Sequence, residues 1–334
     1  MSDYDVYGVG NALVDMEFEV TAQQLNELNI GKGAMTLVDE AQQARIVEHL
    51  GSQETHRGSG GSAANTLIAV SQLGGRAFFS GRVANDELGH FYLQDLERAG
   101  VANRIRPHSA AGGATGKCLV LVTPDAERTM NTFLGVSADI SPADIDESAI
   151  GRSQYVYLEG YLMGGPVCRQ AARHAVQQAR ARGIKTAFTL SDRNVVQHCR
   201  PAIDELIGGG VDLLFANDGE AKCMARTEVL DEALEFLRRI AGQFVVTCGA
   251  DGAVVFDGAV FHRIPPVPTQ AIDTVGAGDM FAGAFLYGMT HGLDVIQAGH
   301  LASLAASRIV SKRGPRLKSE ETQAVWNAFR QRSG

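Results

Sequence analysis

The sequence predicts an α/β fold with a mostly parallel sheet covered by helices on both faces. Short runs rich in Val, Leu, Phe and Tyr alternate with longer helical patterns, and this alternation is typical of parallel sheets with helical connections. Several helical patterns begin and end at recognisable capping residues. Of the 334 residues, 45% are hydrophobic and 20% are charged, so the chain can bury a large core.

Six apolar runs have the length and composition of buried strands. They cover residues 6–10, 77–83, 155–159, 186–190, 212–216 and 244–247. The helices between them have start and stop signals: Ser62 and Asp86 each precede a helical pattern, and the second pattern ends at Gly100. A long helix rich in Ala, Gln and Arg is predicted from Pro166 to Gly183.

Two stretches break this alternation and are predicted as antiparallel strands outside the main sheet. The first is 12–20 with 34–38, and the second is 117–123 with 128–133. A small lid over a cleft would explain them, and so would edge hairpins without a gating role. We predict a single α/β domain over residues 1–334, with a small β lid from segments near 12–38 and 105–135.

Composition excludes several classes of protein. The net charge is −8, and no basic patch is larger than short clusters such as residues 308–316, which disfavours a nucleic-acid partner. The five cysteines are scattered without a CxxC pair, which is typical of reduced thiols. The N-terminus lacks an apolar signal region, and no apolar run approaches the roughly 20 residues that span a bilayer. We expect a cytoplasmic protein that is not embedded in a membrane.

The sharpest candidate site is residues 273–279, Asp-Thr-Val-Gly-Ala-Gly-Asp, which run directly into an apolar helical pattern. Glycines just before a helix let backbone N–H groups converge, and the helix dipole adds positive potential. Such a site can hold a phosphoryl group, and Asp279 could accept a proton from an attacking hydroxyl. Alternatively, Asp279 caps the helix and the glycines form a tight turn. The residues alone leave both interpretations open.

A second glycine cluster, residues 58–65 (Gly-Ser-Gly-Gly-Ser-Ala-Ala-Asn), also opens a helix. Bare backbone allows close approach of a polar ligand, and Asn65 offers both a donor and an acceptor. A flexible connection is the alternative. The helix that follows at once favours a binding surface.

Two shorter segments follow predicted strands. Residues 247–252, Thr-Cys-Gly-Ala-Asp-Gly, suit a ligand loop at the carboxyl edge of the sheet, although such a turn between strands is common. In residues 217–220, Asn-Asp-Gly-Glu, the Asn and Glu could orient water around Mg²⁺. Equally, Asn217 or Asp218 could cap the next helix.

Two familiar nucleotide motifs are incomplete. Residues 8–13 lack the third glycine of the dinucleotide fingerprint, which disfavours a nicotinamide dehydrogenase. Residues 116–118, Gly-Lys-Cys, lack the upstream glycine and the Ser/Thr of a Walker A loop. If the protein uses ATP, it does so by another design.

Together these segments resemble the ribokinase-like sugar and nucleoside kinases, also called the PfkB family. Residues 273–279 match the family signature DTxGAGD, which is highly specific, and residues 60–65 match its N-terminal glycine-rich signature. Residues 217–220 match the NxxE motif associated with Mg²⁺ and phosphate, and residues 247–252 match the TxGxxG nucleotide loop. The matches extend over almost the full length in the family's order.

The resemblance implies a ribokinase-like three-layer α/β/α sandwich and an ATP-dependent kinase. It implies that Asp279 is the general base, which deprotonates a primary hydroxyl of the substrate. The amides of Gly276, Ala277 and Gly278 would form the anion hole for the γ-phosphoryl group.

The resemblance also implies the binding residues. The positions that grip substrate hydroxyls are Asn11, Asp15, Gly60, Gly61 and Asn65, and an ionised Asp can accept from two vicinal hydroxyls at once. The ATP-binding positions are Asn217, Glu220, Thr247, Gly249 and Gly252, with Glu220 acting on Mg²⁺ through water.

Many members of the family bind a monovalent cation beside the anion hole. Here the resemblance makes carbonyls near Asp273, Val275 and the segment 313–314 candidate ligands for K⁺. Lid strands pair between subunits in some members and close over one chain in others, so a monomer and a homodimer both remain open.

Several local features resemble the adenosine kinases within the family. Residues 10–15 resemble the GNxLxD opening of those kinases, and residues 115–118 resemble their TGxC strand. Residues 190–191 and 211–217 resemble their central portion. Residues 62–65 are closer to the ribokinase and fructokinase form. Candidates for an apolar slot around a nucleoside base are Leu13, Met35, Phe133 and Leu134, and ordinary lid or core packing is the alternative for each.

We therefore expect a nucleoside kinase acting on the 5′-hydroxyl of adenosine. A fructokinase or related sugar kinase is the alternative. A non-catalytic sugar or nucleotide sensor is less favoured, because Asp279, the anion-hole glycines and Glu220 are all present.

Overall fold

The computed structural model describes residues 2–33, 35–51, 53–109, 113–125, 127–208 and 210–333. Within them, a central sheet of nine strands is flanked by helices. In spatial order its strands are β14 (Phe261–Ile264), β13 (Ala253–Phe256), β12 (Gln243–Thr247), β11 (Leu213–Asn217), β10 (Lys185–Thr189), β9 (Ser153–Glu159), β1 (Tyr4–Val9), β5 (Ala77–Ser80) and β6 (Ala102–Asn103). The strands from β12 to β6 are parallel, and only β13 and β14 pair antiparallel.

The helices connect these strands. They are α1 (Ala22–Glu27), α2 (Glu40–Leu50), α3 (Ser62–Gln72), α4 (Glu87–Arg98), α5 (Glu147–Ile150), α6 (Pro166–Ala181), α7 (Arg193–Gly208), α8 (Asp218–Ala225), α9 (Leu230–Leu237), α10 (Ala277–Thr290), α11 (Val295–Val310) and α12 (Ser319–Ser333).

Alternating strand residues face two hydrophobic cores, one on each side of the central sheet, as the two-residue period of a strand requires. Val6 lies in the core formed with α3, α10 and α11, whereas its neighbour Tyr7 lies in the core formed with α6, α7 and α9. The predicted α/β class, with three layers and a mostly parallel sheet, is confirmed.

Capping residues explain where several helices begin and end. Asp86 caps α4, because its carboxylate accepts from the Gly89 amide at 2.7 Å, and Gly100 follows the helix at φ 80°. Ser62, in contrast, does not cap α3. Gly61 holds the N-cap position at φ 98°, and Ser62 is the first helical residue, so its hydroxyl is free to bond elsewhere.

A second sheet of five strands has the order β3 (Met35–Leu37), β8 (Arg128–Phe133), β7 (Gly116–Val122), β2 (Leu13–Glu19) and β4 (Glu54–Gly60). The predicted strands are present, but the wholly antiparallel arrangement is wrong: β2 pairs parallel with β7, and β3 pairs parallel with β8. Helix α1 follows β2 and separates it in sequence from β3, which pairs at the far edge. Ala34 and Ala126 lie outside the described residues, as do residues 110–112.

Helix α2 packs against the face of the second sheet that points away from the central sheet. Its Ile46 and Leu50 join Phe18 and Leu121 in a hydrophobic cluster. The Gln43 side-chain amide, which is fully buried, donates to the Lys117 carbonyl at 2.9 Å and thereby anchors the helix. The opposite face of the sheet is left for the site.

No helix in the described ranges is long and apolar enough to cross a membrane. The assignment of residues 1–334 to one domain, with the second sheet as its lid, stays a prediction.

Candidate active site

A cavity of about 370 Å³ lies where the carboxyl edge of the central sheet faces the second sheet. Five neighbouring strands end at it: Asn11 follows β1, while Glu159, Thr189, Asn217 and Thr247 end β9, β10, β11 and β12. Open α/β folds bind their ligands at this edge. The second sheet contributes Leu13, Asp15, Met35, Leu37, Cys118, Met130 and Thr132.

Most of the predicted site residues line this one cavity. They are Asn11, Asp15, Gly61, Asn65, Asn217, Glu220, Thr247, Val275, Gly276, Gly278 and Asp279. Five predicted residues do not line it: Gly60, Gly249, Gly252, Asp273 and Ala277. Of the predicted apolar slot, Leu13, Met35 and Leu134 are in the wall, whereas Phe133 is not.

The start of α10 presents backbone amides to the cavity. Gly276 is the N-cap at φ 75°, and a Cβ there would meet the Pro315 carbonyl oxygen at 2.5 Å. The Ala277 amide donates to the Thr274 carbonyl at 3.2 Å, so it is already used within the turn. Gly276 and Gly278 are therefore the better placed of the three predicted amides to meet an anion.

Asp279 lies in the first turn of α10, and its carboxylate is held by side chains from α3. Ser62 Oγ donates to Asp279 Oδ1 at 2.6 Å, and Asn65 Nδ2 approaches Oδ2 at 3.4 Å. Burial raises the pKa of Asp279 to about 6, and the hydrogen bonds from Ser62 and Asn65, with the charge of Arg316, limit that rise. A carboxylate with this pKa is largely ionised at neutral pH. Its pKa also lies near neutral pH, as efficient general-base catalysis requires.

Asp15, on β2, is the second carboxylate in the cavity. Burial raises its pKa to about 7, Arg316 opposes the rise, and the negative charge of Asp279 adds to it. A Cβ at Gly60, across the β2–β4 pair, would meet the Asp15 carboxylate at 2.2 Å. Gly60 therefore supports the site by making room for Asp15 and does not itself reach the cavity.

Arg316 ties these groups together and was not identified from the sequence. Its Nε donates to Asn65 Oδ1 at 2.9 Å, which leaves the Asn65 amide to face Asp279. Its other nitrogens bond Asp95 at 3.1 Å and Ser59 at 3.0 Å. Because it contacts Asn65 from a segment 251 residues away, no local spacing could reveal it.

Glu159 is a fully buried carboxylate that was likewise not identified from the sequence. Its Oε1 accepts from the Asn11 amide and its Oε2 from the Ala63 amide, both at 2.7 Å. Burial raises the pKa of Glu159 to about 7, and the two amides oppose that rise. Glu159 thus joins the loop after β1 to the start of α3. Its position at the very end of an apolar strand was a usable sequence signal.

Asn11 itself has an oxygen available for a ligand. Its Oδ1 is buried, and no described residue hydrogen-bonds to it. Buried polar atoms are normally paired, so this oxygen is suited to accept from a substrate hydroxyl.

Asn217 and Glu220 form a capping box at the start of α8. Asn217 Oδ1 accepts from the Glu220 amide at 2.8 Å, and the Glu220 carboxylate accepts from Asn217 N at 3.0 Å and Nδ2 at 2.7 Å. Burial raises the pKa of Glu220 to about 7. Both interpretations of this motif are therefore compatible, because the cap also places Glu220 in the cavity wall.

The turn after β12 lies beyond the cavity. Gly252 is at φ 86°, and a Cβ there would meet the Ile264 carbonyl oxygen at 2.2 Å, so the turn itself requires glycine. Gly249 is at φ 57° with open space around it. Thr247, at the end of the strand, is the member of this motif that reaches the wall.

Asp273 holds the glycine loop, residues 273–279, in place through its carboxylate. Its Oδ1 accepts from the Val275 amide at 3.0 Å, and its Oδ2 accepts from the Gly314 amide at 2.8 Å. Oδ2 also forms an ion pair with Arg128 Nη2 at 2.8 Å. The segments predicted to meet at a cation site are therefore adjacent, with an arginine among them.

Comparisons with known proteins agree with this arrangement. The model of the pfkB family of carbohydrate kinases matches residues 30–323. The solved adenosine kinase of Sinorhizobium meliloti is 38% identical, with a TM-score of 0.90, covering 99% of this chain and 100% of that one. A probable sugar kinase of Rhizobium etli CFN 42 is 34% identical, with a TM-score of 0.91, covering 98% of this chain and 99% of that one.

Among curated sequences, the adenosine kinase of Saccharomyces cerevisiae is 26% identical, over 94% of this chain and 96% of its own. The expected phosphotransferase class and the ribokinase-like fold are thus confirmed. Because the family model matches most of the chain, the chain belongs to the pfkB family of carbohydrate kinases, which phosphorylate a sugar or nucleoside hydroxyl.

Proposed function

We propose that this kinase transfers the γ-phosphoryl group of ATP to the 5′-hydroxyl of adenosine, with Asp279 as the general base. The observation that carries the substrate proposal is the mixed lining of the cavity. Asp15 and Asp279 interact electrostatically and form its polar part, and Leu13, Met35, Met130 and Leu134 contribute apolar surface. A purine would cover that surface, whereas a simple sugar would leave it exposed.

The ribose fits the polar side. The Asp15 carboxylate can accept from two vicinal hydroxyls, and Asn11 Oδ1 and Asn65 offer further partners. Asp279 would then take the proton of the attacking primary hydroxyl. Gly276 and Gly278 would bind the transferring group through their amides, helped by the positive end of the α10 dipole.

ATP would extend along the carboxyl edge from this point. Asn217, Glu220 and Thr247 lie in that part of the wall, and the turn with Gly249 and Gly252 continues it. The second sheet would act as a lid that excludes water from the phosphoryl group.

Mg²⁺ fits this side of the cavity as an ion carried largely by phosphates and water. No group of three His, Cys, Asp or Glu in the described chain could hold a metal, and Mg²⁺ usually keeps several waters. Glu220 has one amide bond on each carboxylate oxygen, so each oxygen can still accept from a coordinated water. Mg²⁺ would neutralise phosphate charge, and Glu220 would orient its waters.

Substrate preference can be measured by ADP release with Mg·ATP, comparing adenosine, inosine, ribose and fructose at equal concentration. We expect kcat/KM for adenosine to exceed that for ribose by about tenfold or more, because the purine buries apolar surface against the wall. A clear preference for fructose would overturn adenosine in favour of a sugar kinase. Absence of transfer to every compound would favour a ligand sensor.

Variants of the wall sharpen this test. Met130→Ala should lower kcat/KM for adenosine several-fold and leave ribose turnover unchanged. The loss is expected because each methylene group that the purine no longer buries costs about 0.8 kcal/mol. Met289→Ala, near the end of α10 and outside the cavity, is the matched control. An equal loss for adenosine and ribose would show that the wall does not contact the base.

A sugar kinase is the second candidate, and Glu159 favours it. Its buried carboxylate lies in the cavity wall beside Asn11, so it could recognise an additional hydroxyl. The likeness to a probable sugar kinase of Rhizobium etli also supports this candidate.

The Ser62–Asp279 hydrogen bond should be visible in the pH dependence of turnover. Activity that needs ionised Asp279 falls as pH drops through its pKa of about 6. Ser62→Ala removes a hydrogen bond that favours the ionised form, so the acid limb of kcat/KM should move up by about one pH unit or less. Ser62→Thr keeps the hydroxyl and should keep the wild-type profile.

Ser303→Ala provides the control, since Ser303 donates to the Pro265 carbonyl in another part of the fold. Its profile should coincide with that of the wild type. If the acid limb of Ser62→Ala also coincides with the wild type, Ser62 does not set the pKa of the base.

A further inference from the structure

A buried ion-pair cluster connects the second sheet to the glycine loop of the site. Arg128, on β8, places Nη2 2.9 Å from Glu17 on β2 and 2.8 Å from Asp273. The Arg128 and Asp273 side chains are only 7% and 4% exposed. A buried guanidinium–carboxylate pair of this kind is weakly screened by solvent and salt.

The Asp273 carboxylate has little capacity left for a metal ion. Its Oδ2 accepts from the Gly314 amide and also lies 2.8 Å from Arg128 Nη2 in the ion pair, so two protein groups already neighbour that oxygen. Its Oδ1 accepts from the Val275 amide. A monovalent cation at this carboxylate would also lie beside the fixed positive charge of the guanidinium. The carbonyls that the family resemblance implied as ligands, near Asp273 and Val275, belong to the same turn, because the Val275 amide lies 3.0 Å from Asp273 Oδ1. A cation bound by those carbonyls would therefore also lie close to the guanidinium of Arg128. A site with a fixed positive charge at this position does not fit the implied cation.

We propose that Arg128 supplies the positive charge at this loop in place of a monovalent cation, so that phosphoryl transfer by this protein does not require K⁺. The arginine holds Asp273, and Asp273 fixes the Val275 and Gly314 amides on either side of the anion-binding turn. Because Arg128 belongs to the second sheet, the loop receives this charge only while that sheet lies over it.

The first test is the wild-type protein in buffers of equal ionic strength containing either 0.1 M tetramethylammonium chloride or about 0.1 M KCl, where screening is equal. The rate of ADP formation should differ by less than about twofold, and the melting temperature should not differ. Stimulation by K⁺ beyond that, or a higher melting temperature in K⁺, would overturn the proposal. The rate measurement rests on the proposed kinase function, whereas the melting measurement tests the cluster even if no substrate is found.

The second test is Arg128→Gln, which leaves Glu17 and Asp273 without their cation. Without K⁺, its melting temperature should fall by about 5 °C or more, because the buried carboxylate of Asp273 and the partly buried carboxylate of Glu17 lose their cation. K⁺ should raise the melting temperature of this variant and leave the wild type unchanged. If Arg128→Gln without K⁺ keeps both the rate and the melting temperature of the wild type, the proposal is overturned.

Arg57→Gln is the matched control. Arg57 is on β4 of the same sheet and pairs with Glu54 at 2.7 Å without reaching the glycine loop. Its melting temperature should not respond to K⁺. A K⁺ response in Arg57→Gln equal to that in Arg128→Gln would assign the effect to the sheet as a whole and overturn the role of Arg128.

Discussion

Asp279→Asn is expected to lower kcat by about a thousandfold while leaving the fold intact. Loss of a positioned general base costs about 10² to 10⁴ in rate, and asparagine cannot take the proton of the attacking hydroxyl. Its shape is nearly that of aspartate, so Ser62 Oγ can still donate to the remaining oxygen. The rate of ADP formation with saturating adenosine and Mg·ATP measures the effect.

The same substitution should not destabilise the protein at pH 8. Burial raises the pKa of Asp279 to about 6 from an ordinary value of 3.8, so the folded state binds the proton more tightly than the unfolded state. The free energy of unfolding therefore falls as pH rises from the ordinary pKa of 3.8 to about 6. At higher pH the buried, ionised carboxylate costs about 1–3 kcal/mol of stability. Neutral asparagine removes this cost, so we expect an unchanged or higher melting temperature.

Asp231→Asn is the control, since Asp231 also lies in the first turn of a helix but is exposed and outside the cavity. Its activity should equal that of the wild type. Near-normal turnover in Asp279→Asn would exclude Asp279 as the base.

Gly61→Ala is expected to reduce kcat/KM by about a hundredfold. Gly61 is at φ 98°, and a Cβ there would meet the Asn11 carbonyl oxygen at 2.1 Å, which is backbone and cannot rotate away. The start of α3 must therefore shift relative to the loop after β1. Ser62 and Asn65 would move with it, and a displacement near 1 Å costs about 10²-fold in rate.

Gly292→Ala separates backbone strain from this displacement. Gly292 is at φ 84°, and a Cβ there meets nothing within 4 Å. Both variants should lose stability, by about 1–3 kcal/mol for a strained conformation, but only Gly61→Ala should lose activity. Equal activity in the two variants would show that the contact at Asn11 does not position the site.

The sequence was informative where local physics decides the structure. The apolar runs predicted the parallel strands because each is buried on both faces, and Asp86 predicted the start of α4 because it caps its own helix. The glycine motifs predicted the part of the cavity wall that the starts of α3, α8 and α10 contribute, for a related reason. They occupy strand ends and helix starts, which a parallel sheet brings to one edge.

Residues that act through distant contacts could not be found in this way. The strand Glu54–Gly60 is polar and lies at a sheet edge, so no alternation marks it. Ser62 has the composition of a cap, but its hydroxyl bonds Asp279, which is 217 residues away. Arg316 and Glu159 likewise depend on pairings that only the tertiary structure defines.

The two glycines that flank Ala277 differ in what holds them in place. Gly276 is required by the chain itself, because of its φ of 75° and its contact with Pro315. Gly278 has no such constraint, since a Cβ there meets nothing within 4 Å. In a homologous protein that had lost phosphoryl transfer, the fold would still require glycine at position 276. Position 278 could then accept other residues. A side chain at position 278 would therefore mark a relative that has become a pseudoenzyme.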